Sequence, residues 1–256
     1  MVGLLWKATP AVNFFANVGR GFETPTFTEM SYKPDNTPGL NFALKPSKSR
    51  NMEAGVKAFV SPESKLEATL FDVETFDEIV VASSSGGRTS YMNAGRTGRT
   101  GLELSFDSDL GHGFGLFAAY TRMKAIYRDA FPTTTAGVNV LAGNTIAGMP
   151  TTMLHGEVSW KHVPSGFSTA LEFHHVGQMF ANDINSEAAD GYDIASLRLG
   201  LAQQDGKWKL KEFVRCDNLT DRKYAGSVIV NQAASQFYEA APGRNWTVGA
   251  NASYRF

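Results

Sequence analysis

Alternation of apolar and polar residues with a period of two is the feature of this sequence that most restricts its fold. From Trp246 to Phe256 every second residue is apolar or aromatic, and each residue between them is small, polar or charged. The pattern recurs in residues 12–18, 52–60, 102–107 and 153–162. Side chains of a β-strand point alternately to its two faces, whereas those of a helix repeat every 3.6 residues. The sequence therefore predicts an all-β fold whose strands have one apolar and one polar face.

Ten such segments are predicted, each long enough to cross a bilayer as a tilted strand, which takes about 9–11 residues. They lie near residues 10–22, 48–60, 64–80, 97–108, 114–127, 150–162, 167–179, 190–203, 207–218 and 243–256. Short connections rich in turn residues alternate with long ones, near residues 23–47, 81–96, 128–149, 180–189 and 219–242. Short turns on one rim and long loops on the other are typical of an outer-membrane barrel. We therefore expect an antiparallel transmembrane β-barrel.

A soluble β-sandwich is the main alternative, because its strands also alternate apolar and polar residues. Its strands are typically about 5–6 residues long, shorter than the segments predicted here. The polar face of these segments mixes small, amide and charged side chains of both signs, which suits a water-filled or plugged lumen. Both observations favour the membrane barrel.

Composition excludes several other classes of protein. The 24 Lys and Arg residues nearly balance the 25 Asp and Glu residues, which argues against nucleic-acid binding. A single cysteine excludes a disulfide framework, and a content of 43% apolar and 12% aromatic residues is too high for a disordered chain. No phosphate-binding loop or nucleophile elbow occurs, so neither a cofactor nor a catalytic activity is predicted.

Several stretches of the chain follow one another in a recognisable order. They are GRGFETPTFTEM at 19–30, LKPSKSRNMEAGVK at 44–57, DEIV at 77–80, NAGRTGRTGLEL at 93–104, DNLTDRKY at 217–224 and PGRNW at 242–246. Together they resemble the C-terminal barrel of TonB-dependent outer-membrane receptors, over essentially all 256 residues. Residues 19–30, 77–80 and 225–246 are most similar to the ferric-citrate and pyrroloquinoline-quinone receptor branch.

The resemblance implies a barrel of about 22 strands around an N-terminal plug. Residues 1–256 then form one domain, the C-terminal portion of that barrel with about ten strands. An export signal, a TonB-box segment and a plug are all missing from the sequence, so we expect the natural N-terminus to lie upstream of Met1.

Function and location follow from the same resemblance. It implies a receptor in the Gram-negative outer membrane that captures a ferric siderophore or a similar large, scarce nutrient. The implied partners are outer-membrane lipid, the ligand, the barrel-assembly machinery, and the TonB complex through the missing plug.

Residues at the long-loop rim are candidates for ligand binding. Arginine side chains there form charge-assisted hydrogen bonds with anionic ligands, and tyrosine rings stack on planar ones. The candidates are Arg20, Tyr32, Arg88, Tyr91, Arg96 and Tyr238. The alternative is that the arginines keep the loops soluble or pair with Asp77 and Glu78, and that the tyrosines pack within their own loops.

A candidate metal site follows from the predicted turn at residues 164–165. If this turn is the centre of a hairpin, His155 faces His174 and Glu157 faces Glu172, with Cβ atoms about 4.5–5.5 Å apart. Imidazole and carboxylate groups are ordinary zinc ligands. The alternative is that a neighbour such as Arg198 neutralises the carboxylates.

The C-terminal residues predict an assembly signal. The chain ends in Tyr-Arg-Phe, and Trp246, Tyr254 and Phe256 lie on the apolar face of the last segment. This arrangement resembles the C-terminal signal of outer-membrane proteins that the barrel-assembly machinery inserts.

The alternative from another class is an independent ten-stranded outer-membrane enzyme, such as a rim protease. Such an enzyme needs acidic residues and a histidine together at the long-loop rim. His155, His174 and Asp183 come nearest to that arrangement.

Overall fold

Long antiparallel strands and the hairpins that decorate their connections make up nearly all of the chain. A computed structural model describes all 256 residues. In chain order its elements are β1 (Val2–Lys7), β2 (Val12–Glu23), α1 (Phe27–Met30), β3 (Ser47–Ser61), β4 (Ser64–Phe76), β5 (Ile79–Ser85), β6 (Arg88–Asn93), β7 (Arg96–Gly111), β8 (Phe114–Tyr127), β9 (Phe131–Pro132), β10 (Asn139–Val140), β11 (Thr152–His162), a 3₁₀ turn (Val163–Ser165), β12 (Phe167–Val176), β13 (Met179–Phe180), β14 (Ala188–Ala189), β15 (Tyr192–Asp205), β16 (Trp208–Asp217), β17 (Ala225–Val228), β18 (Tyr238–Ala240) and β19 (Asn245–Tyr254). None of the helices is long and apolar enough to cross a membrane.

Eleven of the strands form one continuous sheet in the order β1-β2-β3-β4-β7-β8-β11-β12-β15-β16-β19. Every neighbouring pair is antiparallel, and each strand pairs with the one that precedes it in this order. The sheet is open, with β1 and β19 as its edges. The prediction of an all-β, antiparallel fold is confirmed. The long strands form a single sheet, and not the two packed sheets of the alternative β-sandwich.

Two details of the strand prediction are corrected. The first sheet strand, Val2–Lys7, is absent from the ten predicted segments because its residues do not alternate cleanly. It forms through pairing with β2, where Trp6 stacks on Phe14 with ring centroids 5.5 Å apart. The predicted segment 64–80 ends at Phe76, because Asp77 adopts a left-handed backbone with φ 53°.

The long connections contain more regular structure than the sequence predicts. Four small two-stranded sheets, β5–β6, β9–β10, β13–β14 and β17–β18, project from the large sheet. A buried apolar cluster lies where the first two of these meet the strand ends. Its members are Val80, Ala94, Ala125, Tyr127, Val140 and Ile146.

The two faces of the large sheet differ as the alternation predicts. The apolar face is open to its surroundings, with Leu70 62%, Val248 75% and Leu171 51% exposed. The polar face presents residues such as Glu53, Glu67 and Glu103. Only 28 of the 256 residues are buried, so the sheet does not cover its own apolar face. Lipid is the environment that satisfies such a face.

Three phenylalanines on the polar face each lie over a glycine of the neighbouring strand. The pairs are Phe15 with Gly55, Phe71 with Gly101, and Phe213 with Gly249. A Cβ atom on Gly55 or Gly101 would stand only 2.6 Å or 2.5 Å from the ring that covers it. Glycine inside a strand marks such a close approach of another group.

We expect Gly101→Ala to destabilise the sheet by about 1–3 kcal/mol, because the added methyl group overpacks the Phe71 ring and the Arg122 carbonyl oxygen. Urea unfolding in lipid vesicles, followed by tryptophan fluorescence, measures the change. The matched control is Gly156→Ala, because no atom lies nearer than 4.0 Å to a Cβ at that strand position. Equal stability of the two variants would contradict the packing role of Gly101.

Candidate ligand-binding site

Five long connections gather at the end of the sheet opposite the short turns, and together they form a loop layer. We name them L1 (24–46), L2 (77–95), L3 (128–151), L4 (177–191) and L5 (218–244). Hydrogen bonds between different connections hold the layer together. The Ser84 amide donates to the Asn231 carbonyl at 3.1 Å, and the Ala233 amide donates back to the Ser84 carbonyl at 2.9 Å. L2 and L5 are thereby joined although they lie far apart in the sequence.

Asp183 and Asn231 form the central link of the loop layer. The Asn231 side-chain amide donates to Asp183 Oδ2 at 2.7 Å and to the Val81 carbonyl at 2.6 Å. Asp183 Oδ1 accepts from the Ala147 amide at 3.1 Å, and the Asp183 amide donates to Asn231 Oδ1 at 3.1 Å. L2, L3, L4 and L5 therefore all meet at this pair of residues.

The carboxyl group of Asp183 is buried, with only 3% of the residue exposed. Burial raises the pKa of this carboxyl, while hydrogen bonds from Asn231, Tyr127 and Ala147 oppose the rise. A buried carboxyl group with this many donors around it costs little only while all of them stay in place. Through these bonds the pair of residues links four of the five connections of the loop layer.

A cleft of about 860 Å³ opens between L1 and L2, and Thr134 and Ala233 complete its wall. Most of its lining is polar, and two cations, Lys33 and Arg88, project from it. The Arg88 guanidinium lies 5.5 Å from the centroid of the Tyr32 ring. Neither cation has a carboxylate within ion-pair distance. The cleft thus presents two positive charges that have no carboxylate within ion-pair distance. The aromatic ring of Tyr32 lies beside one of them.

Asp35 is the acidic residue nearest in sequence to Lys33, and its carboxylate accepts hydrogen bonds from Thr37. The Asp35 carboxylate accepts from the Thr37 amide at 3.0 Å and from the Thr37 hydroxyl at 2.7 Å. These hydrogen bonds, and to a smaller extent the nearby charge of Lys33, hold the pKa of the Asp35 carboxyl below its usual range. An adjoining cavity of about 360 Å³ shares Ser83, Thr134 and Ala233 with the cleft and contains Asp183 and Glu187 instead of cations. The two cavities therefore differ in charge.

The structure brings together only two of the six candidates for ligand binding, Tyr32 and Arg88. Arg96 is held by Asp129, with Nη2 to Oδ1 at 2.9 Å and Nε to Oδ2 at 3.1 Å. Tyr91 lies outside the cleft lining, and its carbonyl accepts from the Asn41 side chain at 3.1 Å. The Tyr238 hydroxyl donates to the Ala188 carbonyl at 3.1 Å.

The structure places Arg20 apart from the cleft. The sequence assigns it to the ligand-binding rim, but Arg20 continues the apolar face of β2 that carries Phe14 and Val18. It pairs across the ladder with Arg50. It therefore faces away from the cleft. Lys33 was not among the candidates, and its position next to Tyr32 is the only sequence signal that could have indicated it.

The hairpin register derived from the turn at residues 164–165 is confirmed. His155 pairs with His174 and Glu157 pairs with Glu172. Both carboxylates are neutralised: Glu172 receives two hydrogen bonds from Arg215, at 2.6 Å and 2.8 Å, and Glu157 lies 3.6 Å from Arg198. No group of three or more His, Cys, Asp and Glu side chains is arranged to hold a metal ion.

Aromatic side chains cluster at the short-turn rim of the sheet. Trp160 packs near Phe114, His162 and Phe167, and Trp208 lies 5.0 Å from Tyr254. Phe256 follows the end of β19 and is fully exposed. Trp246 lies at the other end of that strand, next to the loop layer. Rings with one apolar and one polar side favour the bilayer interface.

Comparison with known proteins places these features in a family. A family model described as "TonB dependent receptor-like, beta-barrel" matches residues 1–252. The ferrioxamine receptor of Yersinia enterocolitica is 27% identical over 222 residues, which cover 80% of this chain and 29% of the receptor. The metal-pseudopaline receptor CntO of Pseudomonas aeruginosa is 28% identical over 149 residues, which cover 58% of this chain and 19% of that receptor.

Solved structures share the fold at lower sequence identity. The ferric yersiniabactin uptake receptor FyuA of Yersinia pestis superposes with a TM-score of 0.70 at 20% identity, covering 98% of this chain and 35% of that one. The copper transporter OprC superposes with a TM-score of 0.72 at 16% identity, covering 98% and 39%. The matched regions thus cover between 19% and 39% of the length of these proteins.

We expect Asp183→Ala to loosen the whole loop layer, because it leaves the Asn231 amide and the Ala147 amide without their buried acceptor. Such a loss costs about 1–3 kcal/mol. Hydrogen exchange followed by mass spectrometry measures the effect, and exchange in peptides from both L2 and L5 should accelerate tenfold or more. Asp190→Ala is the matched control, since Asp190 is an exposed residue of L4. Acceleration confined to L4 would contradict the central role of Asp183.

Proposed function

Because the chain belongs to the TonB-dependent receptor-like β-barrel family, we propose that it forms part of the wall and ligand-capturing loops of an outer-membrane uptake receptor. The cargo is a ferric siderophore or a related metal chelate that carries negative charge. It is captured in the cleft between L1 and L2. The chain spans about a third of its relatives, so the import activity of a whole receptor is part of this proposal.

The cationic cleft is the observation that carries the proposal. Arg88 and Lys33 offer hydrogen-bond donors with full positive charge, and bonds between charged partners are about twice as strong as neutral ones. Tyr32 adds a flat aromatic surface beside Arg88. A chelate built from carboxylate or catecholate groups presents anionic oxygen atoms, and a catecholate also presents planar rings. The cleft matches both features.

The sheet supports a location in the outer membrane. Apart from β1, the strands of this sheet are 10–16 residues long. This length is enough to cross a bilayer when the strands are tilted. Its apolar face is exposed and its short-turn rim is aromatic. Energy from the TonB complex, and insertion by the barrel-assembly machinery, complete the function that we propose for the receptor.

A rim protease is the less favoured function. It needs an acidic residue and a histidine that act together at the loop rim, but Asp183 is occupied by Asn231 and the Ala147 amide. His155 and His174 lie within strands of the large sheet, on its polar face. The relatives that this chain resembles are named as receptors and transporters.

We expect Arg88→Glu to weaken binding of an anionic iron chelate at least tenfold, which corresponds to about 1.4 kcal/mol. The substitution replaces attraction by repulsion, and Arg88→Lys should retain part of the affinity. Titration of tryptophan fluorescence with ferric citrate, and separately with a ferric tris-catecholate, measures the dissociation constant of the detergent-extracted protein.

The matched control is Lys223→Glu, which makes the same change of charge in L5, outside the cleft. Its affinity for either chelate should stay within about twofold of the unmodified protein. Equal losses in the two variants would indicate a general electrostatic effect and would contradict capture in this cleft.

A further inference from the structure

Two histidines meet on the polar face of the large sheet, in a part of the structure that the proposed cleft does not involve. His155 of β11 and His174 of β12 are direct cross-strand partners. Their Nδ1 atoms lie 3.3 Å apart and their ring centroids 4.4 Å apart. Neither ring has a carboxylate within hydrogen-bond distance; the nearest one belongs to Glu172, 3.9 Å from His174 Nε2.

The separation of the two nitrogen atoms matches a metal chelate. Zinc binds imidazole nitrogen at about 2.0–2.1 Å in tetrahedral geometry, which places two nitrogen ligands of one ion about 3.3–3.4 Å apart. In the protein without metal, one ring must donate a proton to the other across the same gap. A divalent ion can take the place of that proton once the two rings turn so that both Nδ1 lone pairs point to the ion, a side-chain movement that leaves the strands in place.

The surroundings of the pair support this use. Glu172 Oε2 lies 3.9 Å from His174 Nε2, too far for a hydrogen bond, so His174 Nδ1 is the nitrogen that faces His155 while Nε2 is left without a fixed partner. The Phe117 ring packs beside His155 at 5.7 Å, which limits its movement. Arg215 binds Glu172 and Arg198 pairs with Glu157, so the charges of these carboxylates are already balanced. His174 keeps 38% of its side chain exposed, so an ion can reach it.

We propose that His155 and His174 form a two-histidine site for a divalent transition-metal ion, with zinc the ion whose geometry fits best. Glu157 and Glu172 are not ligands, because their arginine partners hold them. Two tetrahedral positions remain for water or for the donor atoms of another molecule. The site is independent of the cleft between L1 and L2, so the two proposals can fail separately.

Zinc titration calorimetry on the detergent-extracted protein tests the site. We expect one Zn²⁺ ion per chain, and at least a tenfold loss of affinity in His155→Ala and in His174→Ala. Co²⁺ serves as a spectroscopic probe, since a tetrahedral Co²⁺ site absorbs strongly in the visible range. These bands should appear in the unmodified protein, disappear on addition of Zn²⁺, and be absent from both variants.

His175→Ala is the matched control. This histidine is adjacent in sequence but lies on the opposite face, where its Nδ1 atom is 2.8 Å from Asp193. His174→Gln, checked by its heat-modifiable migration, separates loss of a ligand from loss of fold. The proposal is overturned if the unmodified protein shows no tetrahedral Co²⁺ bands. It is also overturned if His175→Ala weakens binding as much as His174→Ala, or if a folded His174→Gln variant binds Zn²⁺ with unchanged affinity.

Discussion

In hydrocarbon no water is present to bond with the peptide groups, so each backbone N–H and C=O must find its partner within the protein. The large sheet meets this requirement through antiparallel ladders: 118 of the 153 backbone hydrogen bonds lie within regular elements. Only the outer edges of β1 and β19 are unpaired in this sheet. In a membrane these edges need neighbouring strands, as the wall of a closed barrel supplies. The apolar face, the polar face and the loop layer all take their positions from these ladders.

Much of the sheet could be predicted from the sequence because a single geometric rule governs it. Alternation with a period of two identifies most strands, and a tight turn fixes the register of the two strands that it joins. The pairing of His155 with His174 follows from these two facts alone. β1 could not be predicted from the sequence, because its residues follow no clear alternation and its structure depends on contact with β2.

The cleft could not be predicted in the same way, because it depends on contacts between distant parts of the chain. The bond from Asn231 to the Val81 carbonyl joins residues 150 positions apart. Charge pairing on the polar face is also non-local: Arg198 on β15 reaches Glu157 on β11, and Arg215 on β16 reaches Glu172 on β12. Each of these pairs skips one strand of the sheet. The sequence suggests Arg198 as a neutralising neighbour, but hairpin geometry alone does not indicate Arg215.

The pairs of phenylalanine and glycine on the polar face determine how far these rings project from the sheet. A ring that lies flat against a glycine projects less than a ring that stands upright beside a larger residue. Phe15, Phe71 and Phe213 are distributed over β2, β4 and β16, so this arrangement recurs around the wall. In the receptor that we propose, these three rings would therefore narrow the lumen less than they would beside larger residues.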